Sequence, residues 1–139
     1  MGRSTVIRTA TLAAGAVDAS ASPLLYWRAP CQCVIAGIHL ITSSSVAKHA
    51  SNKHTTTVTN LGDSASGSTG VATAATSDTA IEAGVPWAVG LSGTAQHLEI
   101  AAGDVLRIAP TEAGTAGSGD LANVTYQIDY YVGAGVGCG

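Results

Sequence analysis

The sequence predicts an all-β chain: a single-domain antiparallel β-sandwich or barrel of Greek-key type. Three observations carry this. Short segments rich in β-branched residues recur about every ten residues. Turn-forming Gly, Asp, Asn and Pro stand between them. No stretch sustains the three-four spacing of apolar residues that an amphipathic helix requires, and the Ala-rich stretches are broken by Gly, Thr and Ser. A length of 139 residues suits one domain.

The strands follow in order. Thr5 to Leu12 alternates in polarity. Leu24 to Ala29 is short, closed by Pro23 and Pro30. Cys33 to Thr42 is the most apolar; Val34, Ala36, Ile38 and Leu40 fall on one face and Ile35, Gly37, His39 and Ile41 on the other. With both faces apolar it reads as a central strand. His54 to Leu61 is Thr-rich and suits one solvated face. Val71–Ala75, Val85–Leu91, His97–Ile100, Asp104–Pro110 and Asn123–Val132 complete the set. In the last, Val124, Tyr126, Ile128 and Tyr130 point one way, and Thr125, Gln127, Asp129 and Tyr131 the other. Leu61-Gly62-Asp63 and Ala102-Gly103-Asp104 read as turns, and Ser64–Gly70 and Glu112–Asp120 as longer loops. The organisation expected is 1–20 as an N-terminal arm or first strand, 21–132 as the sandwich, and 133–139 as a Gly-rich tail.

Composition narrows function. Charged residues are 11% and the formal net charge is −3, which excludes a nucleic-acid binder working through a broad basic face. Hydrophobic residues are 46%, too many for a solvated disordered chain. Yet 25 of them are Ala, Val, Ile and Leu supply only 29, and Phe is absent, so each buried side chain is small. A chain with so little charge stays soluble most readily by hiding surface in an assembly. No apolar run approaches the length of a membrane span, and the start does not read as a secretory signal. The expectation is therefore no membrane partner and folding in a reducing cytoplasm.

Three cysteines, Cys31, Cys33 and Cys138, are an odd count that argues against a disulfide framework. Cys31 and Cys33 read as small buried hydrophobes, and Cys138 as an exposed thiol of the tail. No second Cys pair or spaced His pair completes a metal site. A nucleophile elbow is absent, with Gly90-Leu91-Ser92-Gly93 only an echo of one. The acids are scattered, and Asp63, Asp104 and Asp120 each follow Gly as turn residues do. A cupin-like centre would need His39 and His97, with Glu99 beside them, to converge between the sheets. The sequence thus predicts no catalytic residues and no cofactor. Tyr26, Trp27 and Trp87 are placed in the core or an interface. Lys48, His49, Lys53 and His54 make a small loop patch holding the only two Lys, suited to an acidic protein partner or anionic sugars.

Four segments carry a family resemblance: Cys33–Leu40 (CVIAGIHL), Thr57–Gly62 (TVTNLG), Leu98–Ile108 (LEIAAGDVLRI) and Val124–Tyr130 (VTYQIDY). Their order, over roughly residues 24–132, resembles the small capsid decoration (cement) proteins of tailed bacteriophages. The resemblance implies a jelly roll that forms a homotrimer on the outer capsid surface of a virion after synthesis in the host cytoplasm. There it would clamp neighbouring copies of the major capsid protein. Linked copies bind multivalently, so weak contacts sum to high avidity. On this reading Arg3, Val6 and Arg8 of the N-terminal segment, with Lys48, His49, Lys53 and His54, are the expected capsid or protomer contacts. The alternative is a head-fibre or tail-fibre module that recognises a host surface glycan.

Overall fold

The period-two pattern closes into two antiparallel sheets. The computed structural model describes residues 5–18, 22–113 and 120–133. Its strands are β1 (Thr5–Val17), β2 (Leu25–Arg28), β3 (Cys33–Ile41), β4 (Lys53–Asn60), β5 (Thr69–Ala75), β6 (Trp87–Ala88), β7 (Gly90–Leu91), β8 (Glu99–Ile100), β9 (Val105–Ala113) and β10 (Leu121–Gly133). A 3-10 turn, Ala95–Leu98, precedes β8. One sheet has the order β1-β10-β3-β6, with β8 also on β3; the other is β2-β9-β4-β5-β7. The two sheets form an antiparallel β-sandwich, with β1, β3, β6, β8 and β10 in one layer and β2, β4, β5, β7 and β9 in the other.

The inner faces meet in one core. Val58, Leu106 and Ile108 of one sheet pack with Ile38, Leu40, Tyr126 and Ile128 of the other, all essentially inaccessible to solvent. Two contacts tie the layers. Trp27 of β2 lies against Tyr130 of β10, ring centroids 5.0 Å apart and tilted by 49°. The Tyr126 hydroxyl meets Thr56 Oγ1 at 2.7 Å inside the core. Burial pushes the Tyr126 phenol up to about 12, against the lowering effect of the Thr56 bond.

That shift has a defined sign. Between pH 10 and 12 the unfolded chain has lost this proton and the folded chain retains it, so rising pH favours unfolding by ~1.4 kcal/mol per unit. Burial, with the charge of Asp104 second, raises Cys33 to about 11 and adds to the effect from pH 9 upward. Urea melts at stepped alkaline pH are expected to show this decline. Tyr126→Phe should flatten its upper part, and cost about 1–3 kcal/mol at neutral pH by stranding the Thr56 hydroxyl.

Two of the turns read from sequence form one clasp. Asn60 Nδ2 donates to Asp104 Oδ2 at 3.1 Å, and the Ala101 amide donates to the same oxygen at 3.2 Å. Asn60 Oδ1 accepts from the Gly62 amide at 2.8 Å. Gly62 and Gly103 hold φ of 72° and 89°, where a side chain is strained. The Asn and Asp of two resembling segments therefore bind each other. Replacing Asp104 with Ala should cost about 1.5–3 kcal/mol, the range for hydrogen bonds to a charged group. Replacing exposed Asp63 should cost nothing measurable by thermal melting.

Several expectations are corrected. In β3, Asp129 pairs with Gly37 but Tyr130 pairs with Ile35, so Ala36 is the extra residue of a bulge. The bulge puts Cys33 and Ile35 on the same buried side as Ile38 and Leu40, and turns Val34 outward. A one-residue shift exchanges the two faces, so the alternation read from sequence holds only after Gly37. The Val85–Leu91 segment is two short strands: β6 pairs with β3, and β7 pairs with β5 of the other sheet. His97 lies in the 3-10 turn, outside a strand. Cys31 is buried as expected but is disulfide-bonded, while Cys33 is the free buried thiol. Cys138 and the tail after Gly133 lie outside the described residues, as do Arg3 and most of Glu112–Asp120.

Candidate contact surface

An exposed apolar row arises from strand register. Ile7 of β1 pairs with Tyr131 of β10, and Tyr131 pairs with Val34 of β3. Cross-strand partners share a face, so the three form one row on the outside of the sheet. Their exposures are 55%, 44% and 42%. Scattered exposed apolar residues are ordinary, but an aligned row of three large ones is a candidate contact surface. The next row is polar: Thr9 Oγ1 donates to Asp129 Oδ1 at 2.6 Å, opposite Gly37. His39 follows, its ring close enough to Gly37 that a Cβ there would meet Cε1 at 3.3 Å. The surface is thus an apolar row flanked by a carboxylate and an imidazole.

Beside the row runs the outer edge of β1. Among the described residues β1 pairs with β10 alone, so its other flank carries unpaired backbone donors and acceptors along a long strand. Val6 and Arg8 sit on this strand, opposite Val132 and Tyr130, and both are exposed. Two of the expected contact residues are therefore at the edge; Arg3 lies outside the described residues.

The second expected patch is only partly a surface. Lys48 and His49 are exposed on the β3–β4 loop. His49 Nδ1 accepts from the amides of Ser51 (3.0 Å) and Asn52 (2.8 Å), so the imidazole shapes the turn. Lys53 opens β4 half-buried. His54 is 3% exposed; it shares the inward parity of Thr56 and Val58. Its amide donates to Thr76 Oγ1 at 3.0 Å, and it pairs across the sheet with Glu112. Reading His54 as a solvated loop residue is therefore corrected. Nor do the two patches join: the loop follows Ile41, at the opposite end of β3 from Val34.

Candidates for chemistry stay apart. His39 is on the outer face, whereas His97 Nδ1 meets Ser92 Oγ at 3.0 Å beside the 3-10 turn. The space between the sheets where a cupin-like centre would sit is filled by Tyr126, Ile38 and Leu40. Among the described residues no three His, Cys, Asp or Glu side chains are placed to hold a metal ion. No helix among the described residues is long and apolar enough to cross a membrane. The Ile7, Tyr131 and Val34 row was missed in the sequence because Val34 takes its outward place only through the bulge.

No protein-family model matches the chain, and no curated protein matches it. Among solved structures it is similar to one of infectious bursal disease virus, Gx strain, at 14% identity over 94% of this chain and 33% of that chain, with a TM-score of 0.41. It is similar also to a CocE/NonD family hydrolase from Staphylococcus aureus, at 9% identity over 95% of this chain and 33% of that chain, with a TM-score of 0.42. The chain thus spans 33% of the length of each of these structures.

Proposed function

We propose that this chain is a structural protein of a virion. It binds the outer surface of a capsid as a homotrimer, bridges neighbouring major capsid subunits, and performs no catalysis. One observation carries the reading: the Ile7, Tyr131 and Val34 row lies directly beside the open edge of β1. An apolar row suits burial against another protein, and an open strand edge suits pairing or covering by a neighbour. Low charge and small side chains add to the case, because they let sheet faces approach closely without desolvating ions. Cyclic association would also remove the edge that invites uncontrolled aggregation. Bridging follows from multivalency: each copy in a linked set binds its subunit intramolecularly once the first is engaged.

The test has two parts. Sedimentation equilibrium should give three times the 13.7 kDa chain mass. Capsids of the virus that encodes the chain, stripped of it, should bind it in co-sedimentation and withstand higher temperature once decorated. A monomer that leaves capsids in the pellet undecorated overturns the reading. Binding to a glycan array without capsid affinity would move it to the host-recognition alternative.

A further inference from the structure

The side of the sandwich opposite β1 carries a furrow made of three adjoining depressions. The first, about 410 Å³, lies over β5 and β7 between Thr57 and Ser92. The second, about 200 Å³, shares Thr73 and Gly90 with it. The third, about 260 Å³, shares Thr79, Trp87 and Ala88 with the second, and extends to Glu82 and Val85. Together they follow the rim where β5 and β7 of one sheet lie near β6 of the other.

Two strand glycines keep this furrow open. A Cβ at Gly70 would meet nothing within 4 Å, so packing does not call for glycine there; it pairs with Thr59 beside the bulge at Val71. Gly90 is tighter, since a Cβ would lie 3.2 Å from the Thr73 carbonyl oxygen. Besides accommodating a bulge, a bare strand glycine leaves room for another backbone to come close. Polarity differs along the furrow. The β5–β7 end offers the hydroxyls of Thr57, Thr73 and Ser92 and no charge. Toward the other end Asp78 lines the middle depression and Glu82 the last, beside exposed Val85, and no Lys or Arg lines any part.

We propose that the furrow binds an extended peptide segment of a partner protein, with a Lys or Arg at the end that lies against Asp78 and Glu82. From Gly70 to Ala75 the floor runs about 17 Å, the reach of five or six extended residues. Successive depressions then take alternate side chains, while the bare backbone at Gly70 and Gly90 leaves room for the main chain. Charge complementarity selects a basic residue at the acidic end. This proposal stands apart from the virion reading, because the furrow is on the opposite side from β1.

The test is selection of a random hexapeptide phage library on the immobilised full chain, followed by fluorescence anisotropy with the enriched peptides. Enrichment of Lys or Arg at one terminal position is expected. Gly70→Leu, which fills the floor where there is room for a side chain, should weaken binding at least tenfold. Asp78→Asn combined with Glu82→Gln should weaken it several-fold and flatten its salt dependence; both residues are exposed, so this variant folds even if Gly70→Leu does not. Failure to enrich any peptide, enrichment without a basic residue, or affinity unchanged in both variants overturns the proposal. The capsid experiment is unaffected by any of these outcomes.

Discussion

Ile128→Ala is expected to destabilise the fold by about 2–5 kcal/mol, a large share of the 5–15 kcal/mol typical of a single domain. Ile128 is wholly buried at the centre of β10, paired with Ala10 on one side and Ile38 on the other. The cost of such a truncation depends on how far the neighbours can collapse into the hole. Ala10 has no side chain beyond Cβ to move, and Ile38 is fixed inside the same core. With 25 alanines and no phenylalanine in the chain, few large side chains remain to fill a void. Ile128→Val should cost about 0.5–1.5 kcal/mol, and Leu24→Ala, at a position 51% exposed, within about 0.5 kcal/mol. Urea unfolding of the three variants gives the comparison. Equal midpoints for Ile128→Ala and Leu24→Ala would mean that the sheets do not pack as described.

The same β10 strand indicates what can be read from sequence. From Val124 onward its alternation is uninterrupted, and Val124, Tyr126, Ile128 and Tyr130 are buried as the period-two pattern requires. The Gly-Asp turns were legible too, since Gly62 and Gly103 take backbone angles that other residues resist. The bulge at Ala36 was not. With apolar residues at nearly every position of Cys33–Ile41, either face could be the inner one, and only pairing with β10 decides. Division of Val85–Leu91 between two sheets was equally silent, because both halves are apolar strands and only their tertiary partners differ. His54 could have been placed from its own strand: it shares parity with Val58, which the Thr-rich pattern already puts inside. Proximity to two lysines drew it into a surface patch instead.

Tyr131→Asp is expected to separate the proposed trimer and abolish capsid binding while leaving the isolated chain folded. Tyr131 is the central residue of the exposed row, with Ile7 on one flank and Val34 on the other. Centrally placed aromatic residues contribute most to interfaces, and truncating one commonly costs 2 kcal/mol or more, at least about 30-fold in affinity at each contact. A carboxylate at this position also stays unpaired when buried, since its row neighbours are aliphatic and Asp129 lies one row away. Multivalency multiplies the effect: if each of three linked contacts weakens 30-fold, the assembled particle loses far more than any one site. The fold should change little, because Tyr131 is 44% exposed on the outer face and an Asp there can reach water before association. Ile7→Asp should act in the same direction, more weakly for a smaller side chain at the strand edge. Lys48→Ala should have little effect, because its loop emerges from the far end of β3. Analytical ultracentrifugation reads the association and thermal melting the fold. An associated, capsid-binding Tyr131→Asp variant would exclude this face from the contact and return the β1 edge alone to consideration.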